Sequence, residues 1–339
     1  MRSRNCRHCG LPAAGAALTL IEQLLAELKH PDVRALAWAI GSPSLFEPAH
    51  PAWAGALLED AWAERELARH LEVLCALERE PAALEQALGS AHLPEPLGHR
   101  FERLVLFWQQ LRPEVRAATR GLTVRSGGRV VGEFDVAVLR EDRVIETFEV
   151  TVKFYLNLEP SRGMAGVLGP RAYDRMDEKF DKMTGRQRLL GTTAEGRAVL
   201  ARWASEVTGE AFDPETLLIE NHALSRGYVF HPFPDAPYPG ELSPRHGRGL
   251  WQTDAEPFPR GHWRLLAGRE WLGPYRGAVA EAGLPIDPRM PRMFACLERE
   301  PETSSWRERE RRFLLRAGSG LLAAAAASHP ETVKSSESA

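Results

Sequence analysis

Cysteine is scarce in this chain, with four in 339 residues at positions 6, 9, 75 and 296. That is too few, too scattered, for the dense disulfide framework of a small secreted scaffold, so a reducing compartment, the cytoplasm, is expected. No run approaches the roughly 18 consecutive apolar residues of a membrane-spanning helix, and no membrane association is expected. The opening MRSRNCRH and the apolar LPAAGAALTLI together imitate an export signal. Pro12 and Gly15 interrupt that stretch, and it passes without a clear cleavage site into EQLLAELKH, whose spacing is helical. An excess of positive charge is also missing: 43 basic against 46 acidic residues give a net charge of -3, so wrapping nucleic acid by bulk charge is not supported. The phosphate-cradling G-x-x-x-x-G-K-[ST], the dinucleotide-binding G-x-G-x-x-G and the serine elbow are all absent, which argues against an ATPase, a dinucleotide enzyme and a serine hydrolase of that type. There is no internal repeat.

What is present is an ordinary globular composition, 44% hydrophobic and 26% charged. The length exceeds the usual domain of roughly 100–200 residues, so a central domain with additions, or two domains, is expected. Charge is unevenly spread. Glu22 to Glu95 carries 5 basic and 13 acidic residues, whereas Leu97 to Leu200 carries 18 and 14, which makes the middle the part suited to face anions.

Five segments follow from the patterning. Residues 1–18 read as a flexible N-terminus, and 19–96 as an acidic helical cap in which Leu18, Ile21, Leu24, Leu25 and Leu28 recur at helical spacing. Residues 97–231 read as the core. There Leu97, Phe101, Leu104, Val105, Trp108 and Leu111 line one helical face, and three strands follow: LTVRS, RVVGEFDVAVL and VIETFEVTVKFYL. Helices over about 173–190 and 195–205 and a short strand, GYVFH, complete it. Residues 232–316 open with a proline-rich connection and are then expected to be mainly helical, and 317–339 read as a disordered tail.

The chemistry concentrates on two strands. Alternation puts Phe148, Val150, Val152, Phe154 and Leu156 on one face and Glu149, Thr151, Lys153 and Tyr155 on the other. On the preceding strand Phe134, Val136 and Val138 face the core, opposite to Glu133 and Asp135. A three-residue loop at 141–143 then pairs Val136 with Phe148 and Phe134 with Val150, and sets Asp135 opposite Glu149. Directly opposed like charges destabilise a sheet, so a positive partner is required. Lys153 is one, and a hard divalent cation with oxygen ligands is the other. Only five of the 43 basic residues are lysine, yet Lys153, Lys179 and Lys182 fall in one short segment. The same alternation also describes the solvated face of a hairpin, with Lys153 in surface ion pairs.

The run of a helix with Glu102, three strands with GEFD and EVTVK, and a helix resembles the core of the PD-(D/E)XK nuclease superfamily. More closely, RALAWAIGSP, LGHRFERLVLFW, GEFDVAVL, FEVTVKFYL, LGPRAYDRMDEKFDKM and RGYVFHP look like the bacterial domain-of-unknown-function family 1853, over about Val33 to Phe313. The resemblance implies an α/β fold with a restriction-endonuclease-like core of helix, three strands, helix and strand. It implies hydrolysis of phosphodiester bonds in nucleic acid with Mg²⁺ or Mn²⁺. Asp135 would bind metal, Lys153 would be the lysine of the third strand and Glu102 the first-helix acid. The acid expected two residues before the lysine is replaced by Thr151, and Glu149 is the substitute on the same face. Gln187, with Asp174 and Lys179, falls on the helix that in similar nucleases contributes a polar residue beside the site. The departure at Thr151 keeps open a second class, a nuclease-fold module that binds nucleic acid or acts as a scaffold without cleaving.

Two lesser signals remain. CRHC at Cys6–Cys9 supplies half a zinc site with no second close pair, so zinc is not expected. SPRHGRGLW places Arg245, His246, Arg248 and Trp251 in one loop, where they would contact phosphates and stack a base or simply anchor the loop.

Overall fold

A computed structural model describes residues 19–89, 95–170, 174–277, 292–300, 305–317 and 321–322. The helical cap is observed as α1 (Leu20–Glu27), α2 (Pro31–Gly41), α3 (Asp60–Arg69), α4 (Leu71–Arg79) and α5 (Ala82–Leu88). Thr19 and Glu22 form a capping box that fixes the start of α1. Pro31 at the first turn of α2 needs no N–H there. Helix α2 is buried on nearly every side, from Val33 to Gly41, so the cap is part of the main core rather than an appendage.

Helix α6 (Leu97–Gln110) presents Phe101, Leu104, Val105 and Trp108 to the sheet. It stops before Pro113, and the VRAA that continues the helical pattern in the sequence opens β1 (Val115–Ser126) instead. Strands β2 (Arg129–Arg140) and β3 (Ile145–Asn157) follow, then the two-residue β4 (Val167–Leu168), α7 (Met176–Lys182), α8 (Ala194–Thr208) and β5 (Ile219–His231). The β1–β2 hairpin turns at Gly127 and Gly128, both at positive φ. The expected helix over 173–190 is shorter. It passes at Met183–Gln187 into a π-helical turn distorted at Gly185, a local widening of the helix.

The C-terminal part corrects the expectation of a mainly helical 232–316. Among the described residues it forms β6 (Gly247–Thr253), β7 (His262–Leu265), β8 (Arg276–Gly277), β9 (Arg292–Arg299) and β10 (Trp306–Leu315), with one 3₁₀ turn at Gly268–Trp271. Glu- and Arg-rich RMFACLERE and WRERERRFLL carry good helix formers, but Met293, Ala295 and Leu297 are buried at period two, and Arg307 donates across the strands to Glu298 at 2.7 Å. Tertiary packing overrides propensity here. All ten strands join one mixed sheet of order β1-β2-β3-β5-β6-β10-β9-β7, with β4 on β3 and β8 on β10. The pairs β3–β5, β5–β6 and β6–β10 are parallel.

Helices cover both faces of this sheet. Phe148, Val150, Val152, Phe154 and Leu156 pack with α2 and α6, as the alternation predicts. On the opposite face Tyr155 packs with Met176 and Phe180 of α7, and Ala137, Leu139 and Ile145 with Leu200, Ala201 and Ala204 of α8. Arg226 fastens the cap to the sheet. Its buried guanidinium donates to the carbonyls of Ala39 (3.2 Å) and Ile40 (3.0 Å) at the end of α2, and burial lowers its pKa to about 10.

The N-terminal residues 1–18, including Cys6 and Cys9, lie outside the described residues. So does most of 317–339. Leu321, however, is buried against the main core, so the tail does not begin at 317.

Candidate metal centre

The register fixes the site. β2 and β3 pair Val136 with Phe148 and Leu139 with Ile145, as the loop length predicts, and the ladder stops at Val136. There β2 departs from regular geometry. Its pairing with β1 runs from Arg120–Val136 to Leu122–Phe134 and skips Asp135 and Gly121, whose φ of +72° is open to glycine. Phe134 consequently packs with Ala137, Leu139 and Leu190, on the face opposite to Val136 and Val138, which corrects the expectation that all three share one face.

This break brings the Asp135 carboxylate to the end of the ladder. Its Oδ2 accepts the Val150 N–H at 2.8 Å, the donor that a further β2 carbonyl would have taken. Its charge bears on Glu149, the nearby carboxyl of β3. Two neighbouring buried carboxyls oppose each other's ionisation. Burial, reinforced by the charge of Asp135, pushes Glu149 up to about 7, against the opposing pull of Lys179 and Lys182. Burial also raises Asp135, with the Val150 N–H and Lys179 acting the other way. Glu149 is therefore only partly ionised near neutral pH.

The cation at this pair comes from α7. Lys179 Nζ donates to Glu149 Oε1 at 3.2 Å. Lys153 shares the strand face but sits two side chains further along, where its Nζ donates to Asp174 Oδ2 at 2.5 Å while Tyr155 Oη donates to Asp174 Oδ1 at 3.3 Å. Thr151 between them is buried. Glu102 on α6 accepts from Arg120 at 3.1 Å, and burial, then the charge of Asp135, raises its pKa. Gln187 ends the π-helical turn, which packs against β2, and its Oε1 is buried without a hydrogen-bond partner among the described residues. The structure thus sets Asp135 and Glu149 within reach of each other's charge, Glu102 within reach of that of Asp135, and pairs Lys153 with Asp174 instead. The sequence singled out Lys179 as one of three lysines in a short segment and, by the resemblance, as one of three polar residues on the helix beside the site, with Gln187 ranked first.

The donor set suits a hard cation: two carboxyls, both raised by burial and Glu149 also by the charge of Asp135, would be relieved by a divalent ion. A second cluster is closer-knit. Glu146, Glu220 and His222 are the one group among the described residues whose three ligand atoms lie within 4.8 Å of one another. Its charge is already met: Arg112 donates to both oxygens of Glu146 (2.7 and 3.3 Å), and Arg140 lies 3.5 Å from Glu146 and from Glu220. We read it as an ion-pair network.

The SPRHGRGLW loop is anchored. His246 is buried with Nε2 3.2 Å from Nε2 of His231, Trp251 Nε1 donates to Asn157 O at 3.0 Å, and Arg245 pairs with Asp60 and Glu64.

Fold and site together define a mixed α/β protein whose large sheet, covered by helices, carries a buried carboxyl pair with one lysine. A family model described as domain of unknown function (DUF1853) matches residues 34–315, and the chain belongs to that family. No curated protein and no solved structure matches it. No helix among the described residues is long and apolar enough to cross a membrane.

Proposed function

We propose that the chain is a metal-dependent phosphodiester hydrolase acting on nucleic acid, built on a restriction-endonuclease-like core. The order α6, β1, β2, β3, α7, α8, β5, with the two-residue β4 between β3 and α7, supports that reading of the core. The observation that carries the activity is the buried Glu149, raised by burial and by the charge of Asp135, with Lys179 donating to it at 3.2 Å. These two residues would hold one Mg²⁺ or Mn²⁺, and Glu102 would support it. A bound divalent ion supplies charge stabilisation at the phosphate and a water of lowered pKa. Lys179 holds Glu149 and offers an ammonium group to the phosphate or the attacking water. Lys153, clamped to Asp174 immediately before α7, positions the segment that carries Lys179 and Gln187. The side-chain amide of Gln187 has an acceptor to spare for a water at the site.

A second reading, a non-catalytic module that binds nucleic acid, is favoured by Thr151, which stands where the resemblance calls for an acid. Cleavage assays with Mg²⁺ and Mn²⁺ on single- and double-stranded DNA and RNA decide between them. The hydrolase reading expects metal-dependent cleavage that Asp135→Asn abolishes. Binding without cleavage on every substrate and with either ion supports the module instead.

A further inference from the structure

A cleft of about 330 Å³ lies beside β5, lined by residues 54–56, by Arg188 and Thr192, and by Glu220, Asn221 and His222 of the strand. Hydrogen bonding along β5 shows what faces it. Ala223 N–H donates to Ala56 O (2.8 Å), Leu58 N–H to Ala223 O (3.0 Å) and Leu45 N–H to Ser225 O (3.2 Å), whereas Ile145 N–H donates to Leu218 O (2.9 Å) on the β3 side. Odd-numbered residues of β5 therefore turn their N–H and C=O away from β3. Asn221 is the next of them, and neither of its backbone groups has a partner among the described residues. Strand β6 joins β5 only from Tyr228 onward.

An extended residue with a free N–H and C=O side by side offers a donor and an acceptor in one plane, the complement of the hydrogen-bonding edge of a nucleobase. The open edge is short. It comprises only Ile219 and Asn221 before the capped Ala223, which is too little for an added peptide strand of the usual 5–6 residues or so. The cleft is at the lower end of the roughly 300–1,000 Å³ of small-molecule pockets, a size suited to one base. Arg188 has no acidic partner among the described residues. Its Nε donates to Thr184 O at 3.1 Å, which fixes the guanidinium with donors to spare for a phosphate. The His222 ring adds a flat surface, and burial keeps it uncharged at neutral pH.

The cleft lies on the same part of the sheet as the carboxyls. Register pairs Thr147 with Asn221 and Glu149 with Ala223, so the cleft is offset from Glu149 by one two-residue step, ~7 Å along the strands, and lies beyond β5, ~10 Å across the sheet.

The geometry points to a nucleobase site: the cleft takes one base of a nucleotide against the Asn221 backbone, with Arg188 on its phosphate. The proposal rests on the hydrolase reading only in taking that nucleotide as part of a strand that extends across the sheet to Asp135 and Glu149.

The test is titration of AMP, GMP, CMP and UMP, and of a six-nucleotide single strand, into the full chain without divalent ions. Isothermal calorimetry gives the affinity, and hydrogen exchange is followed in peptides covering 219–222. Saturable binding of at least one nucleotide is expected, with slower exchange at 219–222. Binding should weaken at least tenfold in Thr192→Trp, an exposed position at the cleft, and in Arg188→Ala. A strand that binds tenfold more tightly than any mononucleotide assigns the base to a polymer, and equal affinities assign it to a free nucleotide. No binding, or binding that both variants leave unchanged with no protection at 219–222, overturns the proposal. The Asp135→Asn, Glu149→Gln double variant separates the two readings: retained nucleotide binding in a chain that never cleaves leaves the cleft standing while the hydrolase fails. Metal-dependent cleavage with a KM that Thr192→Trp does not change removes the cleft and leaves the hydrolase.

Discussion

Lys179 of α7 donates to Glu149 of β3 at 3.2 Å, while Lys153, four residues along the same strand, is held by Asp174. The lysine that serves the carboxyl pair thus comes from the helix, and the one closest in sequence holds the chain that leads to that helix.

This division predicts unequal lysine variants. Lys179→Ala should abolish metal-dependent cleavage with nucleic-acid binding largely kept, because a contact made in the transition state is lost. Lys153→Ala should lower cleavage only in part. Its ion pair is partly exposed, so urea unfolding should show a loss of about 1 kcal/mol or less. Full cleavage by Lys179→Ala would reject the assignment.

The carboxyl pair makes the metal-free protein sensitive to pH. Glu149 is raised from 4.5 to about 7 in the folded chain, so between those values the folded state binds more protons than the unfolded one. Stability from this group is complete below about pH 4.5 and is lost as pH rises through 7. Urea unfolding at pH 5, 6, 7 and 8 should show that decline, and Glu149→Gln should flatten it. An identical slope in the variant would show that Glu149 does not carry the effect.

Part of this was legible in the sequence. Alternation and a three-residue loop are local, so they fixed the faces of β3 and the pairing of Val136 with Phe148. Phe134 was misplaced because a positive φ at Gly121 is set by the partner strand and leaves no mark on the period of β2. Lys179 was legible only as one of three candidates on its helix, since which of them reaches a strand depends on how α7 docks. The C-terminal strands were missed because alternating Glu and Arg satisfy helix propensity as readily as cross-strand pairing.

Arg226 predicts the stability of the junction between cap and sheet. Arg226→Met removes a charged donor from two helix-terminal carbonyls that no water replaces, at a cost of about 3 kcal/mol or more. Chemical denaturation measures it directly, and a change below about 1 kcal/mol would mean that α2 is held by apolar packing alone.

Divalent ions should stabilise the fold by mass action, and more at pH 8 than at pH 5.5, because the ligands must release their proton to bind. Thermal melts with Mg²⁺ at the two pH values check this. A larger shift at the lower pH would place binding elsewhere.

The most direct test of the account is calorimetric titration of Mn²⁺ into the wild type, Asp135→Asn and Glu220→Gln. One site is expected in the wild type, with at least tenfold weaker binding in Asp135→Asn and undiminished binding in Glu220→Gln, whose carboxylate belongs to the arginine-neutralised network. Binding that survives in Asp135→Asn and is lost in Glu220→Gln would contradict it and assign the metal to Glu146, Glu220 and His222.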